Sequence, residues 1–193
     1  MRDRFRGDIL ANRNNRAILE RWDDLALPDG WLVAGCLFQT VWNLQAGRLP
    51  ESGIKDHDLF YFDGADLGAD AERAVQARCE AVLADIDIPV EVVNQARVHL
   101  WYEADFGRPC AALGSSCDGI ERFLVTSTCV GVRPDALYAP HGLEALYRGE
   151  LAMNPRVPHR ELFEAKVASY RARWPALRVV TDPARAPVRE ERG

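Results

Sequence analysis

The chain has 193 residues, 27% of them charged, with 24 Lys and Arg against 29 Asp and Glu and a formal net charge of -5. That length holds one substantial core, and the acidic balance excludes a protein built mainly to grip nucleic-acid backbone, although scattered Arg leaves a local basic groove open. Five cysteines (Cys36, Cys79, Cys110, Cys117, Cys129) form no CxxC pair, so neither a disulfide framework nor a zinc site is expected, and a reducing cytosol is. The charged opening residues lack the apolar segment of a secretory signal, and no run reaches the roughly 18 apolar residues of a membrane span. The expectation is a soluble, cytoplasmic protein that makes no membrane contact.

In chain order, residues 8–25 read as a helix, with Ile9, Leu10, Ile18, Leu19, Trp22 and Leu25 mostly on three- and four-residue spacings. The turn Leu27-Pro28-Asp29-Gly30 ends it. Residues 31–34 read as a short buried strand, and residues 36–45 as a helix with Leu37, Val41 and Leu44 on one face. Gly35 lies between them, a strand-to-helix junction whose free N–H groups suit a phosphate, or which is simply a tight turn. A loop over 47–53 leads to an aromatic strand ending at Asp63-Gly64. A helix is predicted over 71–85, with Pro89 beyond its end. Residues 90–93 and 97–102 are strand-like, joined by a bend at Asn94-Gln95 or continuous as one bulged strand. A short helix is expected over 120–123, a strand over 126–132 from its β-branched content, a turn over 138–142 and a short helix over 143–147. Residues 154–158 read as irregular, 160–174 as a helix and 177–180 as a strand or packing segment. The sequence predicts one domain over 1–180 followed by a flexible tail over 181–193.

The stretch Gly53-Ile54-Lys55-Asp56-His57-Asp58-Leu59-Phe60-Tyr61-Phe62-Asp63 carries the strongest chemical signal. On a strand, residues two apart share a face and their Cα atoms lie roughly 6–7 Å apart. Asp56 and Asp58 would then sit side by side, an arrangement stabilised by a hard divalent cation or relieved by plain solvation. His57 points to the opposite face and reads as structural. Glu91 alternates with Val90 and Val92, either facing solvent or supplying a third carboxylate.

Strand, glycine, helix, Asp-x-Asp strand and a later acid together resemble the nucleotidyltransferase superfamily that includes DNA polymerase beta. Gly35-Cys36 stands where that superfamily has Gly-Gly or Gly-Ser. More closely, Ala34-Gly35-Cys36-Leu37-Phe38-Gln39-Thr40-Val41-Trp42-Asn43, Ile54-Lys55-Asp56-His57-Asp58 and the segment from Val90-Glu91-Val92-Val93-Asn94 through Trp101-Tyr102 resemble a largely uncharacterised bacterial family of predicted nucleotidyltransferases. Ala139-Pro140-His141-Gly142-Leu143 and Asn154-Pro155 are similar to its signatures too.

The resemblance implies an α/β (α+β) fold with a small mixed, largely antiparallel sheet and packed helices. It implies Mg²⁺ (or Mn²⁺) held by Asp56, Asp58 and Glu91, and an NTP donor such as ATP. An acceptor hydroxyl would attack the α-phosphorus and release pyrophosphate. Gly35 and Cys36 would offer backbone N–H groups to the phosphates. Lys55 either meets a phosphate or offsets local acid. Arg97, His99 and Trp101, alternating on a strand, line a substrate groove with Trp101 stacking a base, or else Trp101 is core and Arg97 an edge charge. Arg133 is a further candidate phosphate contact. The acceptor would be a small hydroxylated metabolite, an RNA end or a protein side chain. Two rivals stay open: a catalytically degenerate nucleotide- or partner-binding module, which Gly35-Cys36 favours, and a metal-dependent phosphohydrolase.

Overall fold

The protein is described from a computed structural model covering residues 1–86 and 89–180. The chain opens with three short helices where the sequence predicts one: α1 (Arg2–Ala11), α2 (Arg13–Glu20) and α3 (Trp22–Leu25). Asn12 makes the first break. It is extended, its side-chain oxygen accepts from the N–H groups of Asn14 and Asn15, and its amide donates to Thr40 Oγ1 at 3.0 Å. An Asn that satisfies the first donors of a new helix ends the old one. The apolar periodicity survives across the break because α1 and α2 both pack on the same core.

Strand β1 (Trp31–Val33) then leads through Ala34 into α4 (Gly35–Gln45), as expected. After the loop over 46–56 come β2 (His57–Tyr61), α5 (Ala69–Val82) and β3 (Val90–Asn94). The stretch 97–102 is not a strand. Asn94 accepts from the Ala96 N–H and opens a 3₁₀ turn (Gln95–Arg97), which runs into α6 (Val98–Phe106), ended by left-handed Gly107. The alternation of Arg97, His99 and Trp101 is coincidental; Val98, Trp101, Tyr102 and Phe106 follow the i, i+3, i+4, i+8 spacing of one helical face.

Helix α7 (Ser116–Ile120) lies a few residues earlier than its sequence prediction. Within 126–132 the β-branched run splits into a 3₁₀ turn (Thr126–Thr128) and β4 (Gly131–Arg133). The Thr128 hydroxyl donates to Val125 O and closes that turn. Tyr138 falls inside β5 (Ala136–Tyr138) rather than in a turn, and α8 (Glu144–Tyr147), β6 (Glu150–Leu151), α9 (Arg160–Arg173) and β7 (Arg178–Val179) complete the described chain. The predicted tail over 181–193 lies outside the described residues.

The main sheet has the order β3-β2-β1-β4-β5, antiparallel except for the parallel β2–β3 pair, and β6 pairs with β7 separately. It is mixed and largely antiparallel, as expected. The parallel pair needs a crossover, which α5 provides. That helix also covers the open edge of β3: Gln76 donates to Val90 O and accepts from the Val92 N–H, and Glu72 accepts from the Asn94 N–H. An edge strand satisfied in this way cannot recruit a foreign strand. On the other sheet margin Arg6 of α1 donates to the carbonyls of Arg133, Pro134 and Ala136.

The main core gathers Phe5, Ile18, Leu32, Leu37, Trp42, Leu59, Val130, Leu146 and Val167 between the sheet and its helices. Four aromatics fasten α9 to α4: Phe38–Trp42 ring centroids are 4.9 Å apart, Trp42–Tyr170 and Trp42–Trp174 each 5.3 Å, and Phe38–Tyr170 5.4 Å.

The β1–α4 junction is strained. Ala34 has φ 60° and ψ -136°, a region that glycine enters freely and a Cβ opposes. Ala34→Gly is therefore expected to stabilise the protein by about 1 kcal/mol, raising Tm by roughly 2–4 °C. An unchanged or lower melting temperature would show that the junction carries no such strain.

Candidate active site

Two strand registers build the site. Val33, the last residue of β1, pairs with Asp58, and Asp58 pairs on its other side with Glu91. The turn after Val33 is thereby delivered beside the acids. Asp56, just before β2, and Asp58, within it, line one cleft of about 440 Å³ together with Ala34, Gly35 and Gln39. His57 between them turns to the other face. It is buried, neither ring nitrogen has a partner among the described residues, and burial pulls its pKa down to about 4. The structural reading of His57 holds.

Asp58 is the perturbed acid. Burial raises its pKa most, the Asp56 and Glu91 carboxylates raise it further, and Lys166 and the Gly35 backbone N–H oppose them, leaving it at about 7. Glu91 is exposed and stands next to Asp58 across the ladder without lining the cleft. No three His, Cys, Asp or Glu side chains among the described residues converge into a ready-made metal cage. Asp56 and Asp58 nevertheless offer two hard oxygen donors in one cleft, the donor chemistry a divalent cation takes.

At the junction, Gly35 lines the cleft, and the amide of Gln39 packs so closely over it that a Cβ there would lie 2.5 Å from Gln39 Nε2. Cys36 differs: its thiol is fully buried, donates to Val33 O at 3.2 Å, and is held well above its usual pKa, chiefly by burial. Cys36 does not line the cleft, whose wall at this junction is Ala34 and Gly35. The conformation that demands glycine belongs to Ala34, one residue before Gly35.

Several residues singled out in the sequence lie elsewhere. Lys55 is exposed and forms no part of the cleft wall. Arg97 is ion-paired with Glu72 and donates to Leu67 O at 2.8 Å, which fastens α6 to α5. His99 and Trp101 sit half-buried on α6, outside the cleft. Arg133 pairs with Asp135 and covers the Trp31 ring, so it is committed to the β4–β5 hairpin.

The cleft also contains residues that composition and motif did not flag. Helix α9 contributes Lys166 and Tyr170, α6 contributes Tyr102 and Phe106, and the segment before β4 contributes Arg122, Phe123 and Thr128. Neither Lys166 nor Arg122 has an acidic partner among the described residues. The Lys166 ammonium lies 5.7 Å from the Tyr170 ring centre. Nothing in the sequence marks Lys166: it shares a helical face with Phe163, Val167 and Tyr170, but it is exposed, and a lysine beside an apolar stripe ordinarily lays its stem on that stripe and keeps its charge in water. The far wall is fixed by Asn154, fully buried, whose amide donates to Glu121 O at 2.7 Å and Phe123 O at 2.8 Å. A second hollow of about 560 Å³ lies between Met153, Phe163, Val167 and Val180. It contains neither aspartate nor Gly35.

Because the folded-state pKa of Asp58 lies above the ordinary carboxylate value, folding favours its protonated form. Below about pH 4 the acid carries its proton in both states; between about 4 and 7 only the folded state holds it, so stability falls across that window and stays at the lower level above about 7. In chelator-treated buffer, Asp58→Asn should raise Tm at pH 8 by roughly 3–8 °C, with the gain vanishing near pH 4. A gain independent of pH would refute the electrostatic cause. Asn154→Ala is expected to cost about 2–3 kcal/mol in denaturant unfolding, because it leaves two carbonyls without their donor; a loss below about 0.5 kcal/mol would mean that water replaces the amide without penalty.

Comparison with known proteins adds three findings. No curated protein matches the chain. Among solved structures, an NMR structure described as revealing a CCA-adding enzyme head domain superposes with a TM-score of 0.68, at 24% identity, over 88% of this chain and 90% of that one. At that identity the likeness establishes a shared fold. The pattern of a nucleotidyltransferase family matches residues 20–179, a span that includes β1, the acid strand, Glu91 and the whole of α9. The chain belongs to that nucleotidyltransferase family.

Proposed function

We propose that the protein transfers a nucleoside monophosphate from an NTP to an acceptor hydroxyl, releasing pyrophosphate, with Asp56, Asp58 and Glu91 as its acidic centre. The observation that carries this reading is the register that sets Asp58 against Val33 and Glu91 while Asp56, Asp58 and Gly35 share one cleft.

Asp56 and Asp58, with Glu91 on the neighbouring strand, would hold Mg²⁺ or Mn²⁺. The bound cation supplies charge neutralisation on the phosphates and lowers the pKa of the acceptor hydroxyl. The like charge of Asp56 and Glu91, which adds to burial in raising the Asp58 pKa, would be offset by a divalent cation held there. The Gly35 N–H, engaged by the Asp58 carboxylate, would pass to a phosphate oxygen, which the helix dipole at the start of α4 favours there. Lys166 and Arg122, the cleft's cations without acidic partners, would neutralise the remaining phosphate charge. Tyr102, Phe106 and Phe123 would offer apolar and aromatic surface to the nucleoside and exclude water. The acceptor hydroxyl gives up its proton to solvent, and its oxygen forms a bond to the α-phosphorus as the bridging oxygen to the β-phosphorus departs with pyrophosphate. The reading places the protein in a reducing cytosol, where the chain's cysteines would stay free thiols. The acceptor class, whether metabolite, RNA end or protein side chain, is set by what the aromatic mouth of the cleft admits.

The test is thermal unfolding with each of the four ribonucleoside triphosphates, with and without Mg²⁺, in wild type and in Asp56→Asn/Asp58→Asn. At about 20 times its Kd the donor should raise Tm by roughly 4–7 °C, only with Mg²⁺ and only in wild type, and Lys166→Ala should shrink that shift. No shift with any nucleotide would overturn the proposal. Labelled monophosphate appearing free in solution, rather than attached to an acceptor, would indicate hydrolysis in place of transfer.

A further inference from the structure

The loop over 46–56 ends in Asp56, and its last part has no regular structure to hold it. Two side chains from other elements hold it instead. Asn43 of α4 donates to Pro50 O at 3.0 Å and Ser52 O at 2.9 Å, and its oxygen accepts from Trp174 Nε1 at 3.1 Å. Arg173, in the last turn of α9, donates to Gly53 O at 2.8 Å, to Ser52 O at 3.4 Å and to Gln39 Oε1 at 2.7 Å, with its guanidinium stacked 4.1 Å from the Trp174 ring centre. Gln39 is the residue whose amide lies over Gly35. One guanidinium therefore joins the turn that begins α4 to the loop that delivers Asp56.

The loop is shaped around that group. Gly53 has φ +65°, where side chains are disfavoured, and a Cβ there would stand 2.9 Å from an Arg173 nitrogen. Three acceptors on two different segments match the planar fork of an arginine and not the single point of a lysine. Arg173 has no carboxylate partner among the described residues, so its charge is spent on these carbonyls.

We infer that Arg173 is a positioning residue, which latches the Asp56 loop onto the Gln39–Gly35 turn and so sets the spacing between the acid pair and the phosphate-binding N–H groups. The latch itself follows from the contacts; its catalytic meaning rests on the proposed reading of Asp56 and Asp58. It makes the end of α9 a determinant of the site, although Arg173 itself lies outside the lining of the cleft.

Hydrogen–deuterium exchange in chelator-treated buffer decides whether the latch exists. In Arg173→Ala, amides over 52–56 and 35–39 should exchange about tenfold faster or more. Arg173→Lys should give an intermediate effect, and Arg171→Ala, an exposed neighbour on α9, none. Unchanged exchange in both segments, with loosening confined to the end of α9, would overturn the inference. Should Arg173→Ala fail to fold, Gly53→Ala tests the same joint from the loop side and should loosen 52–56 likewise. A second measurement separates positioning from mere support: Mn²⁺ affinity, read from the free-ion paramagnetic resonance signal. Arg173→Ala should bind Mn²⁺ about tenfold more weakly than wild type, and equal affinity with a loosened loop would overturn the positioning role. If wild type and Asp56→Asn bind Mn²⁺ equally, the metal reading of the acid pair fails, and the exchange result still decides the latch.

Discussion

Asp58 is the residue at which two hydrogen-bonded ladders meet, and the site depends on their register. Antiparallel pairing with Val33 brings the end of β1, and hence the start of α4, alongside it; parallel pairing with Val90–Asn94 brings Glu91 to its other flank. A slip of one residue in either ladder would turn every side chain on that strand to the opposite face. His57 and Leu59, now buried, would be driven toward the cleft, and Asp58 toward the core. The buried pattern of β2, alternating His57, Leu59 and Tyr61 inward with Asp58 and Phe60 on the other face, makes that slip costly. The core therefore guards the geometry of the acids, and the acids return part of the gain as repulsion between like charges.

The second dependence is the seam between α4 and α9. Trp42 touches Phe38, Tyr170 and Trp174, and aromatic pairs in such tilted and edge-on arrangements contribute about 0.5–1.5 kcal/mol each beyond their burial. This seam holds the C-terminal helix where Lys166 and Tyr170 face the aspartates. Without it the sheet would carry an acid pair on an open surface. With it, the pair lies in a cleft with a cation above.

Much of this was readable in the residues because the relevant signals are local. The strand–glycine–helix junction, the Asp-x-Asp strand and Glu91 lie on elements whose periodicity is clear, and the structure puts them on adjacent strands. The stretch 97–102 misled because its polar residues alternate while its apolar ones keep helical spacing, and the capping side chain of Asn94 decides between the two. The break at Asn12 was hidden for a similar reason: one buried amide, bonded to Thr40 in a distant helix, overrides a continuous apolar pattern. Lys166, Arg122 and Arg173 were illegible as site residues, since nothing near them in sequence indicates which loop or acid they will meet. Strain at Ala34 belongs to the same class, because an alanine does not advertise a backbone shape that glycine would ordinarily supply.

The joint between Arg173 and the segment around Gly53 spans 120 residues of chain, and that between Arg173 and Gln39 spans 134. Contacts so remote along the chain form late, since closing long loops must precede any reward from the contact, and folds rich in them are slow to assemble. During synthesis the acid strand and the glycine junction emerge long before α9 can cover them. Until it does, Phe38 and Trp42 present apolar surface with no partner, the kind of surface on which newly made chains stick to one another. The timing of translation, and the chaperones that shield such surfaces, therefore bear on this protein through its final helix.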